Sequence, residues 1–245
     1  MKPQACLALA LLLAGCAAQA PIAPVPDALS AAPPKTPAVG DTAVYRVINV
    51  YNGEARGEVR FRVDKVERDR IIVAGTSATP AAGFPREEIY TADGNWLRRA
   101  LASHNQVVDY DFAPAYPAYP LPLEQGKSWS VRVSATNPAT GKSNSVRVDG
   151  EVLGSERIVT PAGAFDTIKV RRRVYAGDWD GFLHETNIVE VDWYSPELGR
   201  AVRSERNSGW LDLSRSPGGG GMLMRNDQWM RGDWDVFELV SYGRN

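Results

Sequence analysis

Cysteine is nearly missing from this chain. Its 245 residues hold two, Cys6 and Cys16, and none follows. The part that folds therefore has no disulfide framework, no thiol nucleophile and no thiolate metal site. Histidine is as scarce, with only His104 and His184. His184-Glu185 begins like a zinc-protease helix, but Ile188 stands where the second histidine belongs. Asp178, Asp180, His184 and Glu185 could gather round a cation, yet Gly181 follows Asp180 directly and breaks the calcium-loop spacing. The stretch reads as an acidic hairpin turn, and no metal or cofactor is expected. An excess of one charge is lacking too: 28 basic against 29 acidic residues give a net charge of −1. That balance carries no electrostatic footprint for nucleic acid. Gly126-Lys127-Ser128 and Gly141-Lys142-Ser143 end like phosphate-binding loops, but Leu121 and Thr136 occupy the positions that need the first glycine. There is no Gly-x-Ser-x-Gly elbow and no recognisable triad, so no catalytic residue is assigned. Long apolar runs are absent as well. The one run, Cys6 to Ala14, is too short to remain in a bilayer as a helix.

That run sits between Lys2 and Gly15, which is the layout of a secretory signal peptide over residues 1–15. Leu13-Ala14-Gly15-Cys16 resembles the lipobox of bacterial lipoproteins, in which the cysteine is acylated and becomes the first mature residue. The resemblance implies lipidation at Cys16, and several acyl chains on one residue exceed what stable anchoring needs. Ala17, rather than aspartate, follows the cysteine, and by the sorting rule of enteric bacteria this implies the outer membrane, facing the periplasm. Residues 16–40 are rich in alanine and proline with no apolar period, so they read as a tether that cannot bury enough surface to order itself.

From Asp41 the pattern is that of antiparallel strands, short apolar/polar alternations closed by turn signals. Asn52-Gly53 marks a hairpin, and Trp96 to Ser103 is ambiguous between strand and helix. The Pro/Tyr/Ala run from Ala113 to Pro122 reads as a rigid connector, since proline cannot donate to a ladder. Val189, Val191 and Trp193 form an apolar stripe, and Trp234 to Tyr242 reads as a last strand returning to the sheet. The sum is ten to twelve strands and little helix, hence one all-β, mainly antiparallel domain over 41–245, a strongly curved, partly open barrel or a sandwich.

Gly126-x-x-Trp129, Pro161-Ala162-Gly163-Ala164-Phe165-Asp166 and Trp193-Tyr194-Ser195-Pro196-Glu197-Leu198-Gly199 resemble, in this order, motifs of bacterial envelope lipoproteins whose domains have no assigned function. The resemblance spans roughly residues 120–206 and its motifs are structural. It implies a curved barrel. The lipobox, the cleft expected of a curved sheet and the lack of a catalytic constellation together lead to the expectation of an anchored, non-catalytic protein with an apolar or amphiphilic ligand or an envelope protein as partner.

Four residues stand out as binding candidates. Arg172 falls in phase with Ile168, Val170 and Val174, and a guanidinium on an apolar face must be paired, reach water or meet an anion. It either binds an anionic head group in a cavity, pairs with a carboxylate such as Glu190, or snorkels at a sheet edge. Trp179, Trp210 and Trp234, with Trp229, lie in or beside expected loops, where they would mark a ligand surface or close the barrel ends. The alternative is an envelope hydrolase acting on glycan or ester bonds. Asp109/Asp111 and Asp233/Asp235 are the acid pairs to consider for it, although such spacing on a strand suits a solvated face.

Overall fold

The computed structural model describes residues 35–79, 84–104, 106–176, 185–212 and 228–244. Twelve strands run through them: β1 (Thr42–Asn49), β2 (Ala55–Val66), β3 (Arg70–Ser77), β4 (Arg86–Thr91), β5 (Trp96–Ser103), β6 (Gln106–Tyr116), β7 (Ser128–Thr136), β8 (Ser143–Thr160), β9 (Gly163–Ala176), β10 (Thr186–Ser195), β11 (Arg200–Asp212) and β12 (Gln228–Gly243). Each pairs antiparallel with the next, and β12 returns to β1 with Leu239 opposite Tyr45, so the ring closes. The all-β antiparallel expectation holds, as a barrel rather than a sandwich. The barrel is closed where a partly open one was expected, because the last strand satisfies the edge of the first.

Alternation explains the walls. On β8, Val146, Val148 and Val152 are buried while Ser145 and Leu153 are exposed, and on β9 Ile168, Val170 and Val174 are buried while Arg171 and Arg173 are exposed. Residues 96–103 are a strand, because pairing with β6 overrides their local helical preference.

One seam is thin. β6 pairs with β7 only over Asp111–Ala113 against Ser134–Thr136. Between Asp111 and Tyr116, β6 also leaves its ladder with β5, and Pro114 falls in that gap, where no N–H is required. The strand thus runs on to Tyr116, beyond the Phe112 end that the proline content suggested. The connector that follows turns inward: Ala118, Tyr119 and Leu123 are buried, and the Lys127 ammonium ties it down by donating to the carbonyls of Pro120 (2.6 Å) and Pro122 (2.9 Å).

The β8–β9 hairpin is long enough for its tip to reach β12. The Ala162 N–H donates to the Leu239 carbonyl at 3.2 Å, and Phe165 meets Tyr242 edge-on. Trp193 lies in the same cluster as Phe165, its indole N–H donating to Glu156.

Lys35 to Gly40, the end of the expected tether, lie against the barrel. Lys35 N–H donates to the Pro196 carbonyl at 3.3 Å, and Gly40 N–H to that of Val63 at 2.8 Å. Gly199 permits this approach: its φ is +67°, and a Cβ there would stand 2.3 Å from the Lys35 oxygen.

Truncating Leu239, fully buried where β1, β12 and the hairpin tip meet, is expected to destabilise the fold by about 2–5 kcal/mol in urea unfolding. Val159→Ala, at a side chain that is 76% exposed, is the control and should stay within about 0.5 kcal/mol of the parent.

Candidate functional site

A barrel of about eight strands is just filled by its own side chains, so twelve strands enclose more space than apolar residues can pack without a divider. Here the divider is ionic. Arg99 of β5 sends two parallel N–H bonds across the barrel to Glu190 of β10, Nη2 to Oε1 at 2.6 Å and Nη1 to Oε2 at 3.1 Å. Strands β6 to β9 lie between these two on one side of the ring, and β11, β12 and β1 to β4 on the other. The first lobe is packed solid by Val133, Val146, Val148, Val152, Val170 and Val174 under Tyr116 and Leu123. The second lobe holds the cavities.

Alternation along β10 places Glu190 and Asp192 inward with Ile188 and Tyr194. The apolar stripe read from the sequence, Val189, Val191 and Trp193, is therefore the outer face, with Val189 exposed. The reason is chemical: the inward acids are there to meet arginines. Arg172 is one of these, as its phase required. Its Nε donates to Glu190 at 3.2 Å, its Nη2 to Asp192, and its Nη1 to the Ala118 carbonyl at 3.1 Å. Of the readings open for it, pairing with Glu190 is what the structure contains. The end of β6 and the connector after it supply two more donors, the Tyr116 hydroxyl to Glu190 at 3.2 Å and the Tyr119 hydroxyl to Asp192 at 2.7 Å. Trp96 lies under both cations, with its ring 4.0 Å from the Arg99 guanidinium carbon and 5.4 Å from that of Arg172.

A second buried pair stands on β4, where Arg86 Nη2 meets Glu88 at 2.6 Å and Tyr90 donates its hydroxyl to the same carboxylate. The Arg86 guanidinium lies over the Phe84 ring at 4.3 Å. Arg206 of β11 completes the set. Its nearest carboxylate oxygen, on Glu190, is 3.9 Å away, and its guanidinium stacks 4.9 Å from the Phe237 ring.

The electrostatics follow from burial. Desolvation alone would raise the Glu190 carboxyl, but Arg99, Arg172 and Arg206 override it and hold it well below the usual range. Burial is likewise outweighed at Asp192 by Arg172, and at Glu88 by Arg86 and the Tyr90 hydroxyl. These three acids are ionised pair members, unsuited to donating a proton. Burial, reinforced by the adjacent carboxylates, pushes the Tyr90, Tyr116 and Tyr119 hydroxyls upward, and burial pushes Tyr194 up to about 12.

Two cavities flank Arg86, Arg206 and Phe237, which line both. The smaller, about 140 Å³, is walled by Tyr45, Phe61, Val63, Ile71 and Val73 and reaches the end of the barrel where Lys35, Asp93 and Arg200 lie. The larger, about 350 Å³, is walled by Val47, Val59, Phe84, Leu101 and Ile188 and reaches the opposite end at Arg56, Asp233 and Asp235. Apolar walls with a few placed charges are the usual make-up of a small-molecule site.

The other sequence candidates fall elsewhere. Cys16 and Trp179 lie outside the described residues, as do Asp178, Asp180 and His184. Trp210 is a buried strand residue of β11, edge-on to His104 at 5.7 Å between ring centres, and not a loop residue. Trp234 sits on β12, half-buried, with its indole N–H donating to Glu205 at 2.8 Å and Tyr51 packed against it. Trp210 was placed in a loop because β11 extends further than its alternation suggested, whereas Trp234 lies in the last strand as expected, with β12 beginning six residues earlier; Trp229, on β12, is exposed. Asp111 is held by Arg98 and Asp109 is exposed, while Asp233 and Asp235 share Arg56. Among the described residues no cluster of three metal-ligating side chains forms. Arg86, Arg99 and Arg206 were missed. Arg206 had a signal, since it falls in phase with Val202, Ser204 and Ser208.

No protein-family model matches the chain, and no curated protein matches it. Three solved structures are similar in shape. A candidate lipoprotein of Parabacteroides distasonis has 15% identity over 85% of this chain and 97% of that one, with a TM-score of 0.49. A candidate exported protein with a YmcC-like fold, from Bacteroides fragilis, has 14% identity over 87% and 100%, with a TM-score of 0.46. The hypothetical lipoprotein YmcC of Escherichia coli has 9% identity over 84% and 86%, with a TM-score of 0.39. Likeness at this level carries no argument about function.

Glu190→Gln leaves Arg99 and Arg172 without their shared counter-charge, and a loss of about 3–5 kcal/mol is expected in urea unfolding. The same groups set the pH response. Carboxyls lowered by folding contribute stability that is present above their unfolded values and lost on acidification. The thermal midpoint should therefore hold near neutrality and drop as pH falls below about 4.3. Tyrosines raised by folding contribute below their unfolded value and lose it at high pH, so a second drop should begin above about pH 10. Thermal melts across pH 2–12 check both limbs; Glu190→Gln should blunt the acid limb.

Proposed function

We propose that this chain is a lipid-anchored, non-catalytic lipoprotein of the bacterial envelope whose barrel holds an apolar or amphiphilic ligand. The observation that carries the binding half is the pair of cavities in one lobe of a closed barrel, walled by valine, isoleucine, leucine and aromatic side chains and floored by arginine. Glu88, Glu190 and Asp192 are ionised pair members and unsuited as general acids, and Asp235, the lining carboxyl that burial pushes upward, is paired with Arg56 at the cavity mouth.

The anchoring half rests on Leu13-Ala14-Gly15-Cys16 and on the Ala/Pro-rich segment after it. Lys35, where that segment meets the barrel, lines the smaller cavity. Ala17 to Pro34 spans at most about 55 Å at roughly 3.1 Å per residue, so the barrel would work close to the bilayer that supplies its ligand. Ala17 favours the outer membrane for that bilayer.

Two measurements test the two halves separately. Cys16→Ser should move the protein from the membrane fraction to the soluble fraction, and a variant that still pellets overturns the anchor. Native mass spectrometry of that variant, purified without detergent, should show a bound small molecule or, after delipidation, saturable uptake of an added amphiphile. Failure of both overturns the binding reading.

A further inference from the structure

The floor between the cavities carries more positive than negative charge. Arg86, Arg99, Arg172 and Arg206 are four guanidiniums; Glu88, Glu190 and Asp192 are three carboxylates. The pairings assign each acid. Glu88 takes Arg86, Glu190 takes Arg99 and one nitrogen of Arg172, and Asp192 takes Arg172. Arg206 is left over, since the Glu190 oxygen nearest it already accepts a 2.6 Å bond from Arg99 and lies 3.9 Å away. Two buried guanidinium nitrogens at this floor have no hydrogen-bond acceptor, Nε of Arg206 and Nε of Arg86, nor does the Trp96 indole Nε1. The Arg86 side chain is 6% exposed and that of Arg206 26%, its Nε being buried, and both arginines line both cavities. Buried N–H groups of cations are rarely left unpaired, and a surplus cation in a low-dielectric space is costly until an anion meets it. Crowding shows at Arg86 itself, where burial and then the like charges of Arg206 and Arg99 push its guanidinium downward against the pull of Glu88.

Resting on the binding reading above, we infer that the ligand is an amphiphile with one anionic head group, carboxylate or phosphate, which seats between Arg206 and Arg86 while its apolar tail fills the larger cavity. The walls of that cavity are mainly apolar, with Val47, Val59, Phe84, Leu101 and Ile188 facing the tail and Asn207 and Ser208 as the neutral polar side chains among them. Its far end carries Asp233 and Asp235 bridged by Arg56, an acidic rim that disfavours a second anion at the tail end. A single charge at the floor and a neutral tail is the arrangement that satisfies both ends. A guanidinium suits such a head because its fork matches two oxygens at once.

The test uses the full chain with Cys16→Ser, delipidated and titrated calorimetrically with decanoate, decyl phosphate and 1-decanol. At least one anion should bind about tenfold or more tighter than the alcohol, as charged hydrogen bonds in a dry site predict. Arg206→Gln should bring anion and alcohol together, and Arg206→Lys should restore part of the preference. Ala102→Phe, on the wall of the larger cavity, should weaken all three probes and leave Arg206 in place. Melting curves establish that each variant is folded before it is titrated. Should Arg206→Gln not fold, the wild-type preference for the anion, its partial loss in Arg206→Lys and the weakening of all three probes in Ala102→Phe decide the matter. Equal binding of anion and alcohol by the wild type overturns the head-group inference and leaves the binding reading standing. A preference untouched by Arg206→Gln overturns the assigned seat. Binding of none of the three overturns the head-group inference; with no saturable uptake of any amphiphile, the binding reading falls with it.

Discussion

The contact on which the architecture depends is the one between Arg99 and Glu190, because it joins two walls that the sheet order keeps far apart. A ring of twelve strands held only by its ladders could flatten or open at its thinnest seam, β6 to β7. The guanidinium of β5 gripping the carboxylate of β10 fixes the distance across the ring, and Arg172 then uses the same carboxylate to lock β9 and the connector after β6. That connector covers the thin seam from inside. One acid thus coordinates the cross-brace, the seam and the packed lobe.

Such a brace is expensive in solvation. Removing a carboxylate and two guanidiniums from water costs several kcal/mol per ion, and only near-complete hydrogen bonding recovers it. Glu190 accepts from Arg99, Arg172 and Tyr116, which uses its lone pairs almost fully. Valine and leucine could fill the same volume at lower cost, but apolar packing has no direction and would let the empty lobe collapse. Directional pairs hold a wall in place without filling the space beside it. That is why a charged divider and an adjacent cavity occur together here.

Much of the wall was legible from alternation, since inside and outside positions differ in polarity on β8 and β9. Arg172 was legible for a sharper reason: in phase with Val170 and Val174, it needed an acid, and Glu190 stood in the next strand. The acids hid in the opposite way. On β10 Val189, Val191 and Trp193 face outward while Glu190 and Asp192 face inward between Ile188 and Tyr194, so a rule that follows the apolar stripe picks the wrong face. Arg99 hid behind its neighbour Arg98, which serves a surface pair with Asp111 and made the doublet look solvated. The return of the last strand to the sheet was legible, but its pairing with β1 was not, because the two are joined across almost the whole chain and no local window contains both. Trp210 was misplaced by a strand end, where alternation fades before the ladder does.

The misses among the inward charges share a cause. Patterning rules assume an apolar interior, and this barrel's interior is apolar in one lobe and partitioned by charge in the other. An inward arginine is therefore better evidence about the strand opposite than about its own strand, since it can be tolerated only if an acid arrives from elsewhere. Applied to β11, the same reasoning finds Arg206 inward with no acid of its own within hydrogen-bond reach. A fold that has spent Glu88, Glu190 and Asp192 on Arg86, Arg99 and Arg172, and Asp235 on Arg56, has left Arg206 facing the cavities without a close acid, and that asymmetry separates a site from a core.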